Sequence, residues 1–275
     1  VSFDEQAILM DQELAVAVRP AAAGKQWIGS AWGLFAGQVG TWLVLVIILF
    51  AVTVLAAFVP LGSLAMNVVS PVFIGGMMIG AHQQARGGRA EIGHLLAGFS
   101  QRFVDLLLLG LIQILATLVV GLVGAIGAML TIGLSVFENP EALGGISVVT
   151  WLLLALVMTV PLAAMIMAFW IATPLVAVAG CKPWEAVERS FDAAWRNWRA
   201  LLVYGLLALL LGLIAVIPFG LGLIVLMPVL MLAGYTACAD LFSLNSTPPS
   251  QPSTLEVNKV PTPDEDEADD RFGAS

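Results

Sequence analysis

Residues 41–59, TWLVLVIILFAVTVLAAFV, run for nineteen positions without a charge. At about 1.5 Å per residue, a helix of that length crosses the roughly 30 Å hydrocarbon core of a bilayer. Lipid offers no partner to a free backbone amide, so such a stretch must close its own hydrogen bonds and is expected to be helical. The rest of the chain has the composition to repeat it: 60% hydrophobic residues, 11% charged residues and a mean hydropathy of +0.97 over 275 residues. A soluble domain carries about 25% charged residues, and this chain has too little polar surface to be solvated by water. The fold class is therefore all-α, a polytopic integral membrane protein.

Six spans are expected, at about 41–59, 64–82, 106–132, 149–173, 200–217 and 221–241. PLGS at 60–63 and PFGLG at 218–222 turn the chain between spans. The second span carries Asn67, Ser70 and Pro71 with a Gly76/Gly80 pair. Small residues four apart allow close helix approach, so this span should face protein more than lipid. Gly121, Gly124 and Gly127 mark a packing face on the far half of the third span. The fourth apolar stretch is long for one span, and Pro161 and Pro174 are expected to kink it or end it early. The first forty residues hold Asp4, Glu5, Asp11 and Glu13 with no basic lead into an apolar core, so the first apolar segment is expected to remain as an anchor.

Three shorter stretches are amphipathic instead. In KQWIGSAWGLFAGQV, Ile28, Ala31, Trp32, Phe35 and Val39 form one helical stripe. In EIGHLLAGFSQRF, Ile92, Leu95, Leu96, Phe99 and Phe103 repeat the spacing. In the third, Trp184, Val187, Phe191, Ala194, Trp195 and Trp198 share a face, with Glu185–Arg189 and Asp192–Arg196 as i, i+4 pairs. All three are too short and polar to span and read as helices lying in the interface. Trp32, Phe99, Trp184, Trp195 and Trp198 are the expected anchors at the headgroups.

The stripes superpose. Ile28, Trp32, Phe35 and Val39 match Ile92, Leu96, Phe99 and Phe103 at an offset of 64, and these match Val187, Phe191, Ala194 and Trp198 at 95. LLLLGLIQIL (106–115) lies on LLVYGLLALL (201–210) at the same 95, and Pro60 lies on Pro218 at 158. The even spans share Ser70-Pro71, Thr173-Pro174 and Met227-Pro228. The expected architecture is three hairpins, each preceded by an amphipathic interfacial helix, as parallel repeats about an axis along the membrane normal. A polar lead (1–24) precedes this membrane domain (25–243). A Pro-rich tail with DEDEADD (244–275) follows and is expected to be disordered, since it has little to bury.

All eleven Lys and Arg fall in the N-terminal part before the first span, in 83–104, in 180–199 or in the tail, and none in the turns at 60–63, 133–148 and 218–221. The positive-inside rule then places both termini in the cytoplasm. The net charge of −8 says little about partners, because seven acids crowd into 256–270.

KQWIGSAWGLF, AEIGHLLAGFSQR and the stretch from VYGLLALL to ACADLF resemble an uncharacterised proteobacterial inner-membrane family. More distantly, the layout is similar to the membrane domain of some glycerophosphodiester phosphodiesterases. The resemblance covers about residues 17–243 and implies a multi-helix fold in the bacterial inner membrane. It carries no activity and no catalytic residues, and the soluble phosphodiesterase domain is absent from this sequence.

No phosphate loop, nucleophile elbow, HExxH, CxxC or GxGxxG occurs, so no enzyme activity and no cofactor is expected. His82, His94, Cys181 and Cys238 show no metal-ligand spacing; satisfied histidines and inert thiols are expected. Nothing basic and aromatic enough for nucleic acid lies outside the membrane-hugging helices. Asp105 opens the third span, where a helix N-terminus favours an anion. Asp240 closes the sixth, where the dipole disfavours it, and it is expected in a buried ion pair with a base such as Arg102, Arg196 or Arg199.

Asn67, Ser70, Gln113 and Thr173, with Thr117 and Thr159, are polar groups at depth. They either line a small polar cavity between the proline-bearing spans or only bond between helices. A solid core would favour a scaffold, accessory or assembly role, with a protein partner at the cytoplasmic loops or acidic tail. That role is the leading expectation. A cavity would favour a transporter or a protein that handles membrane lipid.

Overall fold

The computed structural model describes residues 15–132 and 148–245, all within the unit Val1–Asn245. The expectations for residues 1–14, for the loop up to 147 and for the acidic tail beyond 245 lie outside the described residues.

Ten α-helices and one 3-10 helix make up the described residues. α1 is Ala23–Gly37, α2 Val39–Ala57 and α3 Gly62–Ala85. A 3-10 helix, Ile92–Leu96, and the short α4, Ala97–Gln101, lead into α5, Phe103–Ile132. α6 is Val148–Phe169, α7 Ala172–Ala177 and α8 Pro183–Arg196. α9, Trp198–Val216, and α10, Leu221–Leu241, end the bundle. Six spans of membrane length and apolarity result: α2, α3, α5, Leu154–Ala177, α9 and α10.

Burial sorts these spans. Half of the most apolar window of α3 and of α10 is buried (50% each), against 11% for α2 and for α9. Aliphatic side chains gain nothing by leaving lipid for protein, so helices of Leu, Val and Ile alone stay outside. The helices with small and polar residues go to the centre, where α3, α7 and α10 contact one another. Pro71, Pro174 and Pro228 are all buried there.

The shorter helices follow a common rule of packing. α1 lies on α9 and α10, the 3-10 helix and α4 lie on α3, and α8 lies on α6 and α7. Each rests on the pair of spans before it in cyclic order, not on the pair it leads into. Backbone-close contact makes this possible: a Cβ on Gly24 would strike the Ala200 carbonyl, and one on Gly76 or Gly98 would strike the facing segment's backbone. The Gly76/Gly80 face thus seats the segment around His94, and not another span. On α5, Gly124 and Gly127 face Met158 and Leu154 of α6, whereas Gly121 has nothing near it.

Two expectations need correction. The stripe from Ile92 to Phe103 is not one amphipathic helix, because a 3-10 helix gives way to a single α turn, with Leu95 and Gly98 buried. Glu91 and His94 cap that turn reciprocally, which fixes the tighter winding. Pro161 does not end the fourth span, since α6 runs through it. The break comes at residues 170–171, one turn ahead of Pro174. Pro174 sits in the first turn of α7, where its missing N–H would have had no partner.

Candidate functional site

The helix break opens the centre of the bundle. Between α3, α7 and α10, with Gln113 of α5 and Tyr204 of α9 at its sides, lies a cavity of about 230 Å³. Its polar lining comes from Ser70, Gln113, Thr173 and Tyr204, and its apolar lining includes Pro71, Pro174 and Met231. Three of the six polar residues expected at depth, Ser70, Gln113 and Thr173, therefore meet at one opening. Asn67 is not among them, and its amide donates to the Ser63 carbonyl of its own helix at 2.8 Å.

The chemistry of these positions follows from the prolines. Pro71 cannot donate to the carbonyl four residues before it, that of Asn67. The Ser70 hydroxyl donates to that carbonyl instead, at 3.3 Å. Thr117 and Thr159 donate to Gln113 and Ala155 within their own helices, at 2.8 and 2.9 Å. The buried Trp170 N–H has no well-formed hydrogen bond, although the Tyr204 hydroxyl lies beside it. Phe169, the last residue of α6, borders both this cavity and an apolar groove of about 440 Å³ between α5 and α6.

An aromatic relay joins the cavity to the polar end of the bundle. Tyr204 packs on Trp170 at 5.5 Å and Trp170 on Trp27 at 5.4 Å between ring centroids. The Trp27 N–H then donates to Asp240 at 2.9 Å. The partner of Asp240 is Arg19, at 2.9 Å, and not Arg102, Arg196 or Arg199. Nor is the pair buried, as the two side chains are 36% and 34% exposed. Arg19 reaches this place because Asn197 grips the chain before α1. Its side-chain Oδ1 accepts from the Arg19 backbone N–H at 2.7 Å, and its side-chain Nδ2 donates to the Ala17 carbonyl at 3.1 Å. Residues 15–22 are thereby part of the packed unit.

Trp32, Trp184, Trp195 and Trp198 are exposed, and Phe99 packs edge-on against Phe73 at 5.0 Å. Of the four soft ligands considered, His82 bonds the Tyr235 hydroxyl at 3.0 Å. The Nδ1 of His94 accepts from the Glu91 N–H at 2.8 Å, which leaves Nε2 to donate to Gln83 at 2.7 Å. Cys181 and Cys238 are buried and free, and burial pushes the Cys181 thiol up to about 11. Among the described residues, no group of three or more His, Cys, Asp and Glu side chains comes together as a metal site would need.

Sequence reasoning missed Arg19, Trp170, Ser190, Asn197 and Tyr204. The lone tyrosine in LLVYGLLALL was the available signal for the last, because a phenol in an aliphatic span needs a polar neighbour. Residues 15–258 match the model of a family described as a domain of unknown function, DUF7847. No curated protein matches the chain, and no solved structure does.

Proposed function

The chain belongs to the DUF7847 family, and from that premise we propose that it handles membrane lipid, taking the polar part of an amphiphile into the central cavity. The observation that carries this reading is the opening itself, with the polar side chains of Ser70, Gln113, Thr173 and Tyr204 on its wall. The scaffold role expected from the sequence calls for a solid centre, so the opening favours lipid handling over it. A protein partner at the cytoplasmic loops or acidic tail is compatible with either role. The reading is non-catalytic, needs no cofactor and involves no nucleic acid.

The setting we propose is the bacterial inner membrane, with both termini in the cytoplasm, on the strength of the one-sided Lys and Arg. Within it, three hairpins stand around an axis along the membrane normal, each led by a segment at the interface. Three features support the repeat. The cyclic packing of leading segments on preceding hairpins closes a ring. The prolines of the even spans, Pro71, Pro174 and Pro228, are all buried, on three helices that contact one another. The turns PLG at 60–62 and PFG at 218–220 each hold a non-glycine residue left-handed, Leu61 at φ 60° and Phe219 at φ 53°. Such a conformation costs a bulky side chain about 1–2 kcal/mol, so its recurrence at matched positions is not a matter of composition.

The test is native mass spectrometry of the full chain purified gently from its membranes, against a Gln113→Leu, Thr173→Val variant. Each lost polar contact weakens binding by about 1 kcal/mol, so retention of one co-purifying amphiphile should fall about tenfold or more, with little change in melting temperature. Equal retention by a well-folded variant would sink the proposal.

A further inference from the structure

Two apolar grooves on the outside of the bundle are copies of each other. One, of about 530 Å³, lies between α9 and α10 under α1. The other, of about 440 Å³, lies between α5 and α6 under α8. Ile28 and Trp32 roof the first, and Val187 and Phe191 roof the second. These pairs stand 159 apart, 187 less 28 and 191 less 32. Leu211, Ile214 and Ala215 line the first, and Ala116, Val119 and Val120 line the second, each pair 95 apart. These are the offsets that relate the amphipathic stripes and the leucine-rich spans, so the chain builds one shape twice.

We propose that each groove holds one acyl chain of a glycerophospholipid as a resident ligand, its headgroup at the leading helix above. Every lining residue is apolar or glycine. The volumes fall in the roughly 300–1,000 Å³ range of sites that enclose a small ligand. The lining of the first groove runs from Ile28 and Trp32 of α1 to Pro218, just past the far end of α9 at Val216, so an acyl chain headed at α1 has apolar wall along its whole length.

Charge at the mouths distinguishes the two sites. α1 carries Lys25 one turn before Ile28 and no acidic residue, and Lys25 is exposed. An anionic headgroup is matched there. At α8, Lys182 and Arg189 stand against Glu185 and Glu188, Arg189 pairs with Glu185, and Glu188 accepts from the Trp184 N–H at 2.6 Å. That mouth is balanced and favours neither a zwitterionic nor an anionic head. The inference does not rest on the central cavity, whose polar residues line neither groove.

The test uses the full chain in vesicles of equimolar phosphatidylglycerol and phosphatidylethanolamine, each lipid in turn carrying a photoreactive group midway along its acyl chain. Mapped adducts should concentrate on the two grooves over the exposed face of α2, with phosphatidylglycerol preferred only under α1. Filling one groove with Ala116→Trp, or the other with Leu211→Trp, should cut adducts in that groove about tenfold and spare the other, an effect of about 1.4 kcal/mol. Lys25→Gln, which packs against nothing in the grooves, should erase the phosphatidylglycerol preference, about fivefold for one lysine near the surface, without reducing total adducts. Adducts spread evenly over all exposed spans, or filled grooves that label as before, would each overturn it. Loss of the cavity amphiphile with groove adducts intact would separate this inference from the proposed function.

Discussion

Asp240 shows how much one side chain is decided by its surroundings. A carboxylate at a helix C-terminus faces the negative end of the dipole, and it persists because Arg19 and Trp27 both donate to it. Hydrogen bonds to charged groups contribute about 1.5–3 kcal/mol when buried, and less where the pair is open to solvent. With both side chains about a third exposed, Asp240→Ala should cost roughly 1–2 kcal/mol. Melting in detergent should fall by a few degrees, and Arg19→Ala should fall by a similar amount. The double variant should melt close to either single one, because the two removals share an interaction; full additivity would show that the pair contributes nothing. Asp240 was recognisable in the sequence as needing a base. Its partner, 221 positions away, was not, and the nearer arginines were misleading because Arg102 and Arg196 pair with Asp105 and Asp192 and Arg199 lies over the Trp198 ring.

At the scale of elements, the break between α6 and α7 is the feature on which the cavity depends, and a different helix holds it together. The Ser190 hydroxyl of α8 donates to the Met167 carbonyl at 2.8 Å and accepts from the Ile171 N–H at 3.2 Å. Both are groups that a continuous helix would have paired internally. Ser190 is fully buried at 0% exposure, so no water replaces it. Ser190→Ala should therefore cost about 1–3 kcal/mol and quicken hydrogen exchange at Ile171 while leaving the ends of α6 and α8 unchanged. Exchange that stays as slow as in the parent chain would mean that the break is held by packing alone. Pro174 advertised the break in the sequence. Its location one turn earlier was settled by Ser190, whose own stretch reads only as the polar face of an amphipathic helix.

For the whole molecule, the division of charge makes a topological prediction. A cysteine introduced at Gly144 should react with a membrane-impermeant maleimide on intact cells, and one at Gln101 only after the cells are opened. The native Cys181 and Cys238 are buried and free, so they give little background. Labelling in the opposite order would invert the molecule and with it the side from which the grooves and cavity are reached.

What the sequence determined by itself was the solvent and the number of spans. Those properties depend on sums over about twenty neighbouring residues, and a bilayer reads each window almost independently. The proposed repeat also rests on stripes and offsets, which are visible in one dimension. Only the tertiary structure decided that each leading segment rests on the hairpin before it. It also decided that α3, α7 and α10 meet at an opening, and that Ser70, Gln113 and Thr173 share it while Asn67 turns back on its own helix. The reason is physical: in lipid the hydrophobic effect does not choose between one apolar partner and another. The choice falls to glycine-scale fit and to single hydrogen bonds between residues far apart in the chain, and neither leaves a pattern along it.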